Sequence, residues 1–213
     1  MGLFLAATAV RSDSVSAIAQ AISKYMQSHD VKHEVLPGPT PLNDATDAQI
    51  FAPIKSWTVV LWPNYFNIHD FPAAKAIATA GSWLISAVHV YDGDYWEHLA
   101  VSGTDELHEF CSRPTYWKDE PSELERVSSF NSAPERLAQA SGVPAAALTP
   151  YLVDADGIAE DARAAADDQF PLSDIWAFTH FWRRLGITYP DPPENPAAVV
   201  RLSKWFAKRL PAA

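Results

Sequence analysis

Histidine, carboxylate and tryptophan side chains crowd one short stretch of this chain. Between Trp83 and Trp117 lie His89, Trp96, His98, His108, Glu109 and Cys111. Two imidazoles and a carboxylate on adjacent strands can hold zinc or another borderline metal. They can equally make an acid–base pair, because a nearby carboxylate raises the pKa of a histidine. The candidate ligand-binding residues are therefore His89, Trp96, His98 and Glu109, with His89, His98 and Glu109 as the candidate metal ligands. A structural reading stands beside these: histidines on a half-wet sheet face also pair with Glu or pack on Trp without doing chemistry.

The elements that must position these side chains form a β-meander. Asp92-Gly93 is a type I′ turn signal between apolar-aromatic runs, and Ser102-Gly103-Thr104-Asp105 marks the next turn. The strands are predicted near Trp83–Tyr91, Asp94–Val101 and Glu106–Ser112. With two-residue turns at both corners, His89 faces Trp96, His98 faces Glu109 and Trp96 faces Cys111. The period of two then gathers Ala87, His89, Tyr91, Asp94, Trp96, His98, Glu109 and Cys111 on one face. One extra residue in either turn would scatter the set over both faces.

Other motifs are weaker. Cys111, near His108, reads either as a nucleophile or as an inert small hydrophobe. Asp154-Ala155-Asp156-Gly157 starts like a calcium loop, but its glycine comes too early. No G-x-x-x-x-G-K, G-x-G-x-x-G, G-x-S-x-G or H-E-x-x-H pattern occurs in the sequence.

The segment before the meander reads strand–helix–strand twice. Leu3–Val10 is a predicted strand, and Ser12, Asp13 and Ser14 cap a helix whose Val15, Ile18, Ala19, Ile22 and Met26 share a face. Lys32–Leu36 is the next strand, and residues 37–55 an irregular excursion with a helical turn near Asp44–Phe51. Trp57–Trp62 is β-branched and apolar. A helix opens at Asp70-Phe71-Pro72 and stops at Gly81. The expected fold class is α+β: a mixed or antiparallel sheet in a split βαβ, ferredoxin-like layout, extended by the meander, with helices on one face. Residues 1–118 would form this sheet domain. Residues 119–213 would be a helical region packed on it, or continuous with it.

In that second region, 113–129 reads as a linker or capping loop. Helices are expected at Pro134–Ala140, Pro144–Val153, Asp174–Leu185 and Ala197–Leu210. Arg136 to Leu152 resembles the helix-turn-helix of bacterial repressors, which would imply DNA binding through residues 134–152. Its second helix offers Ala, Leu, Thr and Tyr rather than the Arg, Lys, Asn and Gln that read bases. The aromatic helix around Trp176, Phe178, Phe181 and Trp182 reads as core.

The net charge is −10 over 213 residues. Such a surface repels phosphate backbones, so nucleic acid is not the expected partner. Acids concentrate at Asp154, Asp156, Glu160, Asp161, Asp167, Asp168 and Asp174. Bases follow at Arg183, Arg184, Arg201, Lys204, Lys208 and Arg209, so the two groups are expected to face solvent or each other. The single cysteine excludes an intrachain disulfide and suits a reducing compartment. Residues 1–10 lack a basic leader and read as a buried strand, and no apolar run reaches the ~20 residues of a membrane span. The sequence therefore describes an acidic, cytoplasmic α+β protein. Its first functional reading is a binding or interaction protein, for a protein partner or small ligand. A metal-dependent or acid–base enzyme using the meander cluster is the second, and a DNA-binding regulator the third. No cofactor is specified.

Overall fold

The computed structural model describes residues 3–64, 66, 69–130, 132–191, 193 and 195–203. Strand β1 (Leu5–Arg11) is buried along almost its whole length, as its uninterrupted apolar run demands of a strand covered on both faces. Helix α1 (Val15–Ser28) begins at Ser14, whose side chain accepts the Ala17 N–H. It buries Ile18, Ala19, Ala21, Ile22, Tyr25 and Met26. Then follow β2 (His33–Pro37), β3 (Asp47–Ile50), β4 (Trp57–Leu61), α2 (Asp70–Gly81) and the meander strands β5 (Leu84–Tyr91), β6 (Tyr95–Ser102) and β7 (Asp105–Cys111). The remainder gives α3 (Pro121–Ser128), α4 (Pro134–Ser141), α5 (Ala177–Arg184) and a last described strand, β8 (Ala198–Leu202).

All eight strands join one antiparallel sheet in the order β2-β8-β3-β4-β1-β5-β6-β7. The fold is therefore α+β. Strands β5-β1-β4 stand as a split βαβ arrangement requires, but β2 is not beside β4. Strands β3 and β8 stand between them. Two expectations fall here. The excursion at 37–55 contains a strand rather than a helical turn over Asp47–Ile50, and Ala198–Leu202 is a strand rather than the start of a helix. The rest of that expected helix, 204–210, lies outside the described residues.

Side-chain chemistry explains why β8 enters the sheet. Val199 and Val200 are fully buried, so the segment is apolar on both sides. Opposite Arg201 stands Asp47, also fully buried, and the guanidinium holds both carboxylate oxygens at 2.8 Å. Burial works against the Asp47 anion, but Arg201 and the Asn43 N–H outweigh it and keep its pKa low. Gly38 follows from the same insertion, because a Cβ there would meet the Pro196 carbonyl oxygen.

The two faces of the sheet are covered by different elements. Helices α1 and α2 pack on one, over Val10, Val60, Ile85, Ala87, Leu99 and Val200. Helices α4 and α5 cover the other, burying Phe178, Phe181 and Trp182 against Val88, Trp96 and Phe110. The aromatic helix is thus core, as its spacing predicts. Segment 113–129 is more ordered than a linker: a 3-10 turn (Pro114–Trp117) and α3 cap the meander on the α2 face. The would-be recognition helix at 144–153 is two separate 3-10 turns, Ala145–Ala147 and Thr149–Tyr151, with Pro150 inside the second. Acidic and basic segments do meet, since Arg183 and Arg184 both bind Asp167 and buried Asp168. Among the described residues no helix is long and apolar enough to cross a membrane.

Candidate functional site

The meander's register decides which chemistry-bearing residues meet. Asp92 and Gly93 take positive φ, and the Asp94 N–H reaches the Tyr91 carbonyl at 3.0 Å. That is the expected turn chemistry. The ladder, however, pairs Tyr91 with Tyr95, so Asp94 is one residue more than a two-residue hairpin allows. His89 consequently faces Glu97, and His98 faces Val88. At the second corner Ser102 does pair with Asp105, but a bulge at Ala100/Val101 shifts the rest. His98 then faces Phe110, Leu99 faces Glu109 and Glu97 faces Cys111. The structure therefore divides the candidate set. His89 and half-buried Glu109 belong to the α1/α2 face, while Trp96 and His98 belong to the α4/α5 face. Among the described residues no group of three His, Cys, Asp or Glu side chains is placed to hold a metal ion.

On the α2 face His89 is the middle of a charge chain. Its Nδ1 lies 3.1 Å from an Asp70 oxygen, and its Nε2 lies 3.4 Å from Glu97 Oε2. Glu97, fully buried, takes both arms of Arg126 at 2.8 and 3.0 Å, and Arg126 Nε continues to Glu123 at 2.8 Å. Burial opposes a cation at His89, but Asp70 and then Glu97 outweigh it and raise its pKa to about 10. Burial likewise opposes the Glu97 anion, and His89 with Arg126 outweighs it, so its pKa falls. At Asp70 burial prevails over His89, and the carboxyl is raised. His89 is thus an imidazolium, with the ring of Phe71 stacked on it at 4.7 Å. Cys111, beside Glu97, is buried, and burial pushes its thiol up to about 12. That is a small hydrophobe, not a nucleophile.

The α4/α5 face is the opposite case. His98 Nε2 is 2.8 Å from Ser86 Oγ, which also accepts the Trp182 indole N–H at 2.9 Å. His108 Nδ1 accepts the Ala133 N–H at 3.0 Å, so its proton resides on Nε2. The two rings lie 5.2 Å apart. Burial lowers the His108 pKa to about 4, and burial with His108 as neighbour drives His98 well below its ordinary value. Both are neutral. His98 Nδ1, His108 Nε2 and Trp96 Nε1 are buried without a hydrogen-bond partner.

No protein-family model matches the chain, and neither does any curated protein or solved structure.

Among the described residues, two of the open surfaces bear on binding. Strand β2 is an outer edge of the sheet. Ser203 N–H bonds Lys32 and Gly38 N–H bonds Ala197, so the hydrogen-bonded positions toward β8 are 32, 34, 36 and 38. His33 and Val35 therefore turn their N–H and C=O outward, and Pro37 its C=O alone. Val35 shares the face of Val200, its partner, yet is 51% exposed. It lines a groove of about 740 Å³ against α1, with Val15, Ala19, Pro37 and Ala198 as its apolar wall. The second surface is a cleft of about 170 Å³ at the end of the sheet, between Phe4, Trp62 and Tyr189.

Sequence reasoning missed Asp70, Arg126 and the β2 edge. Asp70 reads as a first-turn helix acid, and nothing local says that it turns inward to a histidine. Arg126 lies in a polar stretch that reads as a loop. The edge could have been suspected from Pro37, since proline is confined to outer strands.

Proposed function

We propose that this protein is a binding protein that accepts an extended segment of a protein partner along β2. One observation carries the reading: outward N–H and C=O groups at His33 and Val35 run beside an apolar groove. An added strand would take main-chain hydrogen bonds from these two residues. Its alternate side chains would enter the groove over Val35, Val15 and Ala19, which is how sheet augmentation combines affinity with specificity. The chain's charge of −10 favours a basic partner segment. Its one cysteine, buried and free, supports a reducing compartment such as the cytoplasm.

Catalysis is the weaker reading for the histidines. Each nitrogen of His89 faces a carboxylate, the other two rings are buried and neutral, and the groove and cleft described above are lined by none of the three.

The test is Val35→Pro. It removes an outward N–H that β8 does not use, so the fold should melt at an unchanged temperature. Proteins retained by the wild type should be lost, with affinity down at least about tenfold. Hydrogen exchange at Val35 should slow when the partner is bound. An unchanged set of retained proteins, or exchange that the partner leaves unaltered, would contradict the reading.

A further inference from the structure

We infer that the cleft at the end of the sheet binds a small organic cation, an ammonium group carried on an apolar or single-ring body. The walls come from three places in the chain: Phe4 before β1, Trp62 after β4, and Tyr189 after α5. Leu61 lines it as well. The volume of about 170 Å³ is close to that of an engineered cavity that takes up benzene, about 150 Å³.

Charge in this cleft has one sign, and the neutral amides of Gln49 and Asn64 are its other polar side chains beside the Tyr189 hydroxyl. Asp44, exposed, is the only charged side chain among the described residues that line it. Gln49 lines it too. Its Nε2 donates to Asp44 at a long 3.4 Å, and its Oε1 is buried with no partner. Gln49 itself is 6% exposed. The terminal torsion of glutamine is broad, so the amide is free to reorient toward a donor. A carboxylate with no cation beside it in the lining, an unpartnered amide oxygen and three aromatic rings, next to the neutral amide of Asn64, favour a group that is positive, donates hydrogen bonds and packs on π faces. An ammonium meets all three conditions. A carboxylate or phosphate ligand meets none, because no cation among the described lining residues would hold it.

Trp62 is already fixed for this role. Its indole N–H is committed to Thr8 Oγ1 at 2.8 Å and its ring stacks on Phe66 at 4.5 Å, so a ligand finds a rigid aromatic wall.

The experiment is an amide-resolved NMR titration of the whole chain with benzylammonium, benzyl alcohol and benzoate, each to about 10 mM, where ligands of this size register. Benzylammonium should give saturable shifts confined to residues 3–6, 44–49, 61–64 and 189. Benzyl alcohol should bind at least about fivefold more weakly, and benzoate should not bind. Asp44→Asn, on an exposed residue, and Gln49→Met, close in shape, should each weaken benzylammonium by about fivefold or more. Absence of shifts at those residues, equal binding of the alcohol, or an Asp44→Asn variant that binds as tightly as the wild type would overturn the assignment.

Discussion

Glu97 and His98 are neighbours in β6, and the protein treats them in opposite ways. Glu97 points to the α2 face, where His89 and Arg126 keep it charged. His98 points to the α5 face, where burial and then the neighbouring His108 keep it neutral. The difference teaches that burial alone does not set a charge state. On both faces desolvation opposes the ion. At Glu97, and not at His98, opposite charges lie within hydrogen-bonding distance to outweigh it.

The largest effect should come from breaking the charged side. Glu97→Gln leaves His89 and Arg126 facing an uncharged amide in the core. It should cost about 3–5 kcal/mol, read as a fall in melting temperature of roughly 10 °C. On the neutral side, His108 gives an effect of similar order that appears only with pH. Its folded pKa, about 4, lies below the unfolded value of about 6.5, so the folded state binds fewer protons. The stability it supports is complete above about pH 6.5 and lost as pH falls toward 4. His108→Gln should remove about 3 kcal/mol of that acid-limb loss relative to the wild type, measured as denaturant stability against pH. His89 works with the reverse sign. Its folded pKa is raised to about 10, so its contribution is complete below about pH 6.5 and lost as pH rises through 10.

Smaller effects sharpen the contrast. His98→Phe exchanges a half-satisfied imidazole for an apolar ring and should change stability by no more than about 1 kcal/mol, in clear contrast with its neighbour Glu97. Cys111, with its thiol pushed up to about 12 by burial, should react with a thiol reagent at pH 8 no faster than the protein opens. Labelling at the rate of a free thiol would show that this end of the meander is not closed.

Much of the architecture was legible in the residues. The meander, α1, α2, α4 and the aromatic α5 follow from periodicity and capping, which act locally. The register did not follow, because a single residue beyond the Asp92-Gly93 turn and a bulge at Ala100/Val101 exchange the faces of half the cluster. Neither has a marker in the sequence: the turn residues are those of a two-residue hairpin, and Leu107, the extra residue left unpaired opposite Ala100 and Val101, is an ordinary strand residue. The position of β8 was hidden for a different reason. Its anchor, Asp47 with Arg201, spans 154 residues, and no local pattern couples sites that far apart. The Asp70–His89–Glu97–Arg126 chain is hidden in the same way, since it draws on a helix start, two strands and a segment that reads as a loop.

Both histidine centres are thus internal to the structure, apart from the surfaces we propose for binding, the β2 edge and the sheet-end cleft. The most direct test of that division is imidazole nitrogen NMR at pH 7.5. His89 should show two protonated nitrogens. His98 and His108 should be neutral, with His108 as the Nε2–H tautomer. A neutral His89, or a protonated His98 or His108, would contradict the account of the two faces.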